Sequence, residues 1–214
     1  MLTVWARPPA RVRALVRYAQ DRLATAVPGL YLAAEDRLHM TVLDIASDRT
    51  DAEVTALAAQ LGSTAEEIAR LIVRGTHRAR LTSPRLSYDR SGVALCFLAA
   101  ADSATRWGYH HLRRDIYELV APVIPVASRY MVPSAHLACA RFVQPLEEAE
   151  VRMLVETVDA INDMLESAEL GDTSLALDVG PWTVGEEHGL EIRAGPCWYG
   201  YGGKTIHLGQ AIDI

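Results

Sequence analysis

Lysine is almost missing from this 214-residue chain: Lys204 stands alone, so nearly every positive charge is an arginine. The formal net charge is −6, which leaves no cation excess to line a long nucleic-acid groove. A small anion held locally by a few donors stays possible, and a clamp for it is expected to use guanidinium groups. Cysteine is scarce and odd in number: Cys96, Cys139 and Cys197, with no C-x-x-C spacing. That pattern reads as reduced thiols of an intracellular protein, not as a disulfide frame. There is no H-E-x-x-H, and His77, His188 and His207 have no ligand spacing, so no metal and no cofactor is expected. No apolar run is long enough to cross a bilayer, and "MLTVWARPPARVR" has no apolar core of a signal peptide. The expected compartment is the cytoplasm, with the nucleus as the alternative, and no membrane partner is expected. No low-complexity stretch or linker divides the chain, so residues 1–214 read as one domain of two lobes, large enough for a sizeable core.

The pattern of apolar residues gives the elements. Residues 2–6 form a short strand, punctuated by Pro8 and Pro9. A helix follows, with Val12, Leu15, Val16, Ala19 and Leu23 on one stripe, ending before Pro28. Residues 36–46, "DRLHMTVLDIA", read as a buried strand. Residues 51–74 are helical with a break at Gly62, and Thr64 with Glu67 suggests a capping box for the second part. Strands at 79–88 and 92–100 flank a hairpin turn containing Asp89, Ser91 and Gly92. A helix capped at Asp102 or Ser103 carries Leu112, Ile116, Leu119 and Val120 inward and stops at Pro122. A second apolar strand, "SAHLACARF", spans 134–142. The longest helix covers 146–168, with Val151, Leu154, Val155, Val158, Ile161 and Leu165 inward. The tail is strand and turn: "SLALDVGPW", "GLEIRAGPCWYGYGG" and "TIHLGQAI". The order is β-α-β-α-ββ-α-β-α-βββ. Two apolar strands, each after one helix and before another, suggest a duplicated unit and an α+β fold with two facing antiparallel or mixed sheets.

Each of those two strands carries a histidine, His39 and His136. Side chains two apart on a strand share a face, so Thr41 stands beside His39, and Ser134 and Ala138 flank His136. A lone strand histidine is usually structural. A pair at equivalent places in a duplication is a coincidence that packing does not require. Strict alternation would put Arg141 on the face opposite His136. Other features carry less. "GYGGKT" imitates a phosphate loop but is followed by a strand where a helix is needed. "HHLRR", residues 110–114, reads as helix surface, and His207 as structural. Trp198, Tyr199 and Tyr201, interleaved with glycines, are either a turn with packed rings or a platform on which a nucleobase stacks.

"HMTVLDI" and "HLACARF" resemble the two signature strands of the 2H phosphoesterase superfamily, which includes 2′-5′ RNA ligase-like proteins and cyclic nucleotide phosphodiesterases. In that family each strand carries His-hydrophobic-Thr/Ser-hydrophobic. The tail "VGEEHGLEIRAGPCWYGYGG" is similar to the C-terminal region of fungal cyclic phosphodiesterase-like members. The resemblance implies a bilobal fold with a central cleft. His39 and His136 would be the proton-transfer pair, the second activating water and the first protonating the leaving oxygen. Thr41 would donate to phosphate, Arg141 would neutralise its charge, and no metal would take part. The second motif departs from the pattern, because position 138 is alanine. Ser134, or an aromatic hydroxyl from the tail, is the expected substitute.

Such a pair suits hydrolysis of a 2′,3′-cyclic phosphate. Water loses a proton as it attacks phosphorus, and the leaving ribose oxygen gains one on the opposite side. Two imidazoles with pKa near neutrality can share those tasks. The expected substrate is a small nucleotide or an RNA end, acted on by a monomer. Trimming of RNA 3′ ends, cleavage of 2′-5′ linkages, and non-catalytic nucleotide binding are the alternatives.

Overall fold

The computed structural model describes residues 1–73, 78–100, 107–128, 134–172, 177–196 and 202–212. Its strands are β1 (Leu2–Ala6), β2 (Tyr31–Leu32), β3 (Met40–Ala46), β4 (Arg80–Asp89), β5 (Gly92–Ala100), β6 (Ala135–Arg141), β7 (Trp182–Thr183), β8 (Leu190–Ala194) and β9 (Lys204–Leu208). The helices are α1 (Ala10–Ala26), α2 (Asp51–Leu61), α3 (Thr64–Arg70), α4 (Tyr109–Val120) and α5 (Glu148–Glu169). The architecture is α+β.

Among the described residues the named strands pair antiparallel, in the order β7-β4-β5-β6-β3-β1-β8-β9, with β2 beside β6; Ala46 at the end of β3 also bridges Ala127 in parallel. The two sheets expected from the sequence are two half-sheets in one hydrogen-bonded path. They join at β3 and β6 through a single residue pair, Met40 with Leu137. Each half therefore places its histidine-bearing strand at the joint. Helices α1 and α5 cover β6 and β4; α2 and α3 cover β1, β8 and β9; α4 contacts both β3 and β5 and so spans the joint.

The apolar stripe of α1 is buried as its spacing requires, Val12, Leu15, Val16, Ala19 and Leu23 all facing inward. In α5, Leu154, Val158, Ile161 and Leu165 are buried, whereas Val151 is exposed in the first turn. The capping box sits one helix earlier than its expected place. Thr50 Oγ1 accepts from the Glu53 amide while Glu53 accepts from the Thr50 amide, at the start of α2. At α3 the cap is Ser63, without a side-chain bond, because that helix follows α2 directly through Gly62. The hairpin turn forms as read: Asp89 Oδ1 accepts from Ser91 and Gly92 amides at 2.7 and 3.2 Å. The proposed cap at Asp102 or Ser103, and His77, lie outside the described residues. So does the start of the "SLALDVGPW" strand; among its described residues only Trp182 is in the sheet, as the first residue of β7. Lys204 opens a strand, not a helix, so the "GYGGKT" loop lacks the helix N-terminus a phosphate loop needs.

Candidate active site

His39 lies one residue ahead of its strand, not inside it. Residues Glu35–Arg37 form a single 3₁₀ turn, and the ladder starts at Met40. The turn brings the Arg37 carbonyl to 2.8 Å from His39 Nδ1. A carbonyl oxygen can only accept, so Nδ1 carries the hydrogen, and Nε2 holds the lone pair of the neutral ring. Met40 and Leu137, the pair at the joint, are both fully buried. Alternation then puts His39 and Thr41 on the other face of β3, and His136 and Ala138 on the matching face of β6. Antiparallel register runs Thr41 beside His136, and His39 beside Ala138. The two imidazoles are thus diagonal neighbours, and His136 is near enough for its charge to disfavour protonation of His39.

Both rings have lowered proton affinity. Burial is the main cause at His39, reinforced by the Arg7 cation and opposed by the Arg37 carbonyl and Glu191; its pKa falls to about 4. At His136 burial again leads, followed by the Arg141 cation, with the Asp89 carboxylate opposing and Arg113 adding to the depression. Ser134 Oγ is 3.0 Å from His136 Nδ1. The hydroxyl expected to replace the missing second-motif donor is therefore engaged with the ring itself, where it orients the imidazole.

Arg141 is the clearest departure from strand arithmetic. Between Val93 and Ala94 the register of β5 against β6 slips by one, since Val93 pairs with Ala140 and Ala94 with Ala138. Cys139 is the extra residue of a β-bulge. The slip reverses the alternation beyond it and returns Arg141, paired with Gly92, to the face of His136. The bulged carbonyl of Cys139 accepts from Gln20 Nε2 of α1 and from the Ala33 amide, both at 2.9 Å. Gly92 permits the close approach: a Cβ there would lie 2.1 Å from the Ala140 carbonyl oxygen.

Several residues that sequence reasoning missed border the same face. Trp5 pairs across β1–β3 with Thr41 and across β1–β8 with Glu191. Its indole stacks on His39, ring centroids 3.7 Å apart. Glu191, 6% exposed, pairs with Arg7 at 2.8 Å and Arg193 at 3.0 Å and accepts from Thr205. Burial resists its ionisation, but the Thr205 hydroxyl and Arg7 outweigh that and hold its pKa low. Cys96 of β5 stands opposite His136, its thiol pushed upward by burial. In α4 the "HHLRR" segment is only partly surface. Arg113 is half-buried and donates to the Val42 carbonyl, while Arg114 is exposed on Asp115. No signal in the sequence marks Trp5 or Arg113, because register and helix docking bring them there.

Cys139 is buried, its thiol pushed up to about 12 by desolvation, which fits the inert reduced thiol read from the sequence. Cys197 and the proposed base-stacking residues Trp198, Tyr199 and Tyr201 lie outside the described residues. Among the described residues no group of three His, Cys, Asp or Glu gathers to hold a metal ion. Nor is any described helix long and apolar enough to cross a membrane.

The architecture is a single antiparallel sheet in which the two histidine-bearing segments, one from each half, meet at the centre. The crystal structure of TT0787 from Thermus thermophilus has a similar fold, with a TM-score of 0.52 at 19% identity, over 97% of this chain and 96% of that one. No protein-family model matches the chain, and no curated protein matches it.

Proposed function

We propose that the protein is a metal-independent phosphodiesterase that opens a 2′,3′-cyclic phosphate on a nucleotide or RNA end. The observation that carries this reading is the pair of imidazoles on one face at the joint, each held through Nδ1 by a local oxygen. That arrangement fixes two proton-transfer groups at the joint of the sheet, one at the entry to β3 and one within β6, as acid–base catalysis requires. A water oxygen bonds to phosphorus as one ring takes its proton. The bond from phosphorus to one ribose oxygen breaks, and the other ring gives that oxygen a proton. Thr41 donates to a phosphate oxygen, and Arg141 balances the anion's charge. The fungal-type kinship of the tail, the stacking role of Trp198, Tyr199 and Tyr201, and a cytoplasmic monomer belong to the same proposal.

The resemblance gives water activation to His136. The low pKa of His39, about 4, favours the reverse: that ring stays neutral and accepts, while His136 carries the proton to the leaving oxygen. In excess chelator, wild type should open 2′,3′-cyclic mononucleotides, and replacing either histidine by alanine should cost about 10²–10⁴-fold in kcat. On a diester with a p-nitrophenolate leaving group, which needs no proton, His136→Ala should recover activity and His39→Ala should not. Recovery by His39→Ala instead would restore the division the resemblance implies. Tight binding of nucleotides without turnover would point to a binding module. Turnover of oligonucleotides alone would point to end trimming.

A further inference from the structure

Trp5 is among the largest fully buried side chains, yet it does not lie in the core beneath the helices. Its neighbours Val4 and Ala6 point there. Trp5 instead sits on the site face of β1, among polar groups. Its indole plane lies 17° from that of His39, with centroids 3.7 Å apart. The guanidinium carbons of Arg7 and Arg193 lie 5.1 and 5.0 Å from the indole centroid. Both arginines are pinned by Glu191, which β8 places across from Trp5. Arg193 is pinned further by the Gly202 carbonyl and Thr205, so the indole rests on a braced layer.

A bond through Nδ1, together with the covalent attachment at Cγ, restrains the imidazole but leaves it a residual swing about the line joining those two anchors. A flat partner removes the remaining freedom. We propose that Trp5 is a positioning residue that sets the plane of the His39 ring, so that Nε2 points along one fixed direction on the site face. The Arg7–Glu191–Arg193 layer holds the indole in turn. The inference rests on the reading of His39 as a proton-transfer group, and it adds the device that aims the ring. The charged and titratable groups facing His39 are Arg7, Glu191 and His136.

The test compares wild type with Trp5→Phe and Trp5→Leu, by turnover of a 2′,3′-cyclic mononucleotide and by NMR of the His39 ring protons. Loss of orientation at a proton-transfer group can cost about 100-fold. Trp5→Leu should therefore lower kcat by about 100-fold, with KM changed less than about threefold, and Trp5→Phe should recover most of the loss. The His39 ring protons should be shifted upfield by the indole in wild type, partly so in Trp5→Phe, and not in Trp5→Leu. If Trp5→Leu does not fold, Trp5→Phe and the wild-type spectrum decide. Wild-type turnover unchanged in a folded Trp5→Leu, or no upfield shift in wild type, overturns the inference. If wild type opens no cyclic phosphate, the catalytic reading falls, while the NMR comparison still tests whether Trp5 sets the ring plane.

Discussion

At the scale of single residues, His39 is where burial and chemistry meet. An ordinary histidine has a pKa of about 6.5; here burial and the Arg7 cation bring it to about 4. Between those values the unfolded chain binds a proton that the folded one does not. Stability therefore falls as pH drops from about 6.5 to about 4 and is fully present above that window. The contribution at stake is up to about 3 kcal/mol. Urea unfolding of wild type and His39→Gln at pH 7.5 and 4.5 should show a steeper loss for wild type. Equal slopes would mean His39 is not desolvated in solution. Ala138 poses a second residue-scale question. Ser134 is held on His136, and the tail tyrosines Tyr199 and Tyr201 lie outside the described residues. Ala138→Thr would set a donor beside His39, and one recovered hydrogen bond to phosphate should raise kcat/KM by about tenfold. A fall instead would mean that the small side chain at position 138 makes room for the substrate.

At the scale of elements, the site depends on two irregularities that periodicity does not announce. The 3₁₀ turn before β3 supplies the carbonyl that fixes the His39 tautomer. The bulge in β6 supplies Arg141 to the His136 face. Alternation predicted Arg141 on the wrong face because it counts residues, and a bulge inserts one without changing the sequence pattern. Its stabilising partner is remote: Gln20, on α1, donates to both the Ala33 and Cys139 carbonyls. Gln20→Leu should cost about 1–3 kcal/mol in chemical unfolding. It should also weaken inorganic phosphate binding in calorimetry, toward the level of Arg141→Met. Destabilisation with unchanged phosphate affinity would separate the bulge from the anion site. The long helices, by contrast, were legible, because buried stripes such as Val12, Leu15, Val16, Ala19 and Leu23 repeat at helical spacing whatever the neighbours do.

At the scale of the whole molecule, two half-sheets meet at one hydrogen-bonded pair, with α4 spanning the joint and Arg113 tied to the Val42 carbonyl. So thin a ladder should open locally more readily than the half-sheets on either side. Amide exchange at Met40 and Leu137 should be faster than at Val4 or Leu95, and bound phosphate should slow it by bridging the two faces. Uniform protection across the sheet would show that the joint is as stable as its flanks. The sequence alone determined the composition and order of the elements and singled out His39, Thr41 and His136 as candidates, because these depend on local pattern and on residue types placed in apolar segments. Only the tertiary structure decided that Arg141 turns toward His136, that Ser134 serves the ring, and that Trp5 and Arg113 border the site. Those outcomes follow from register, a bulge and helix docking, which couple residues far apart in the chain and leave no periodic trace in it.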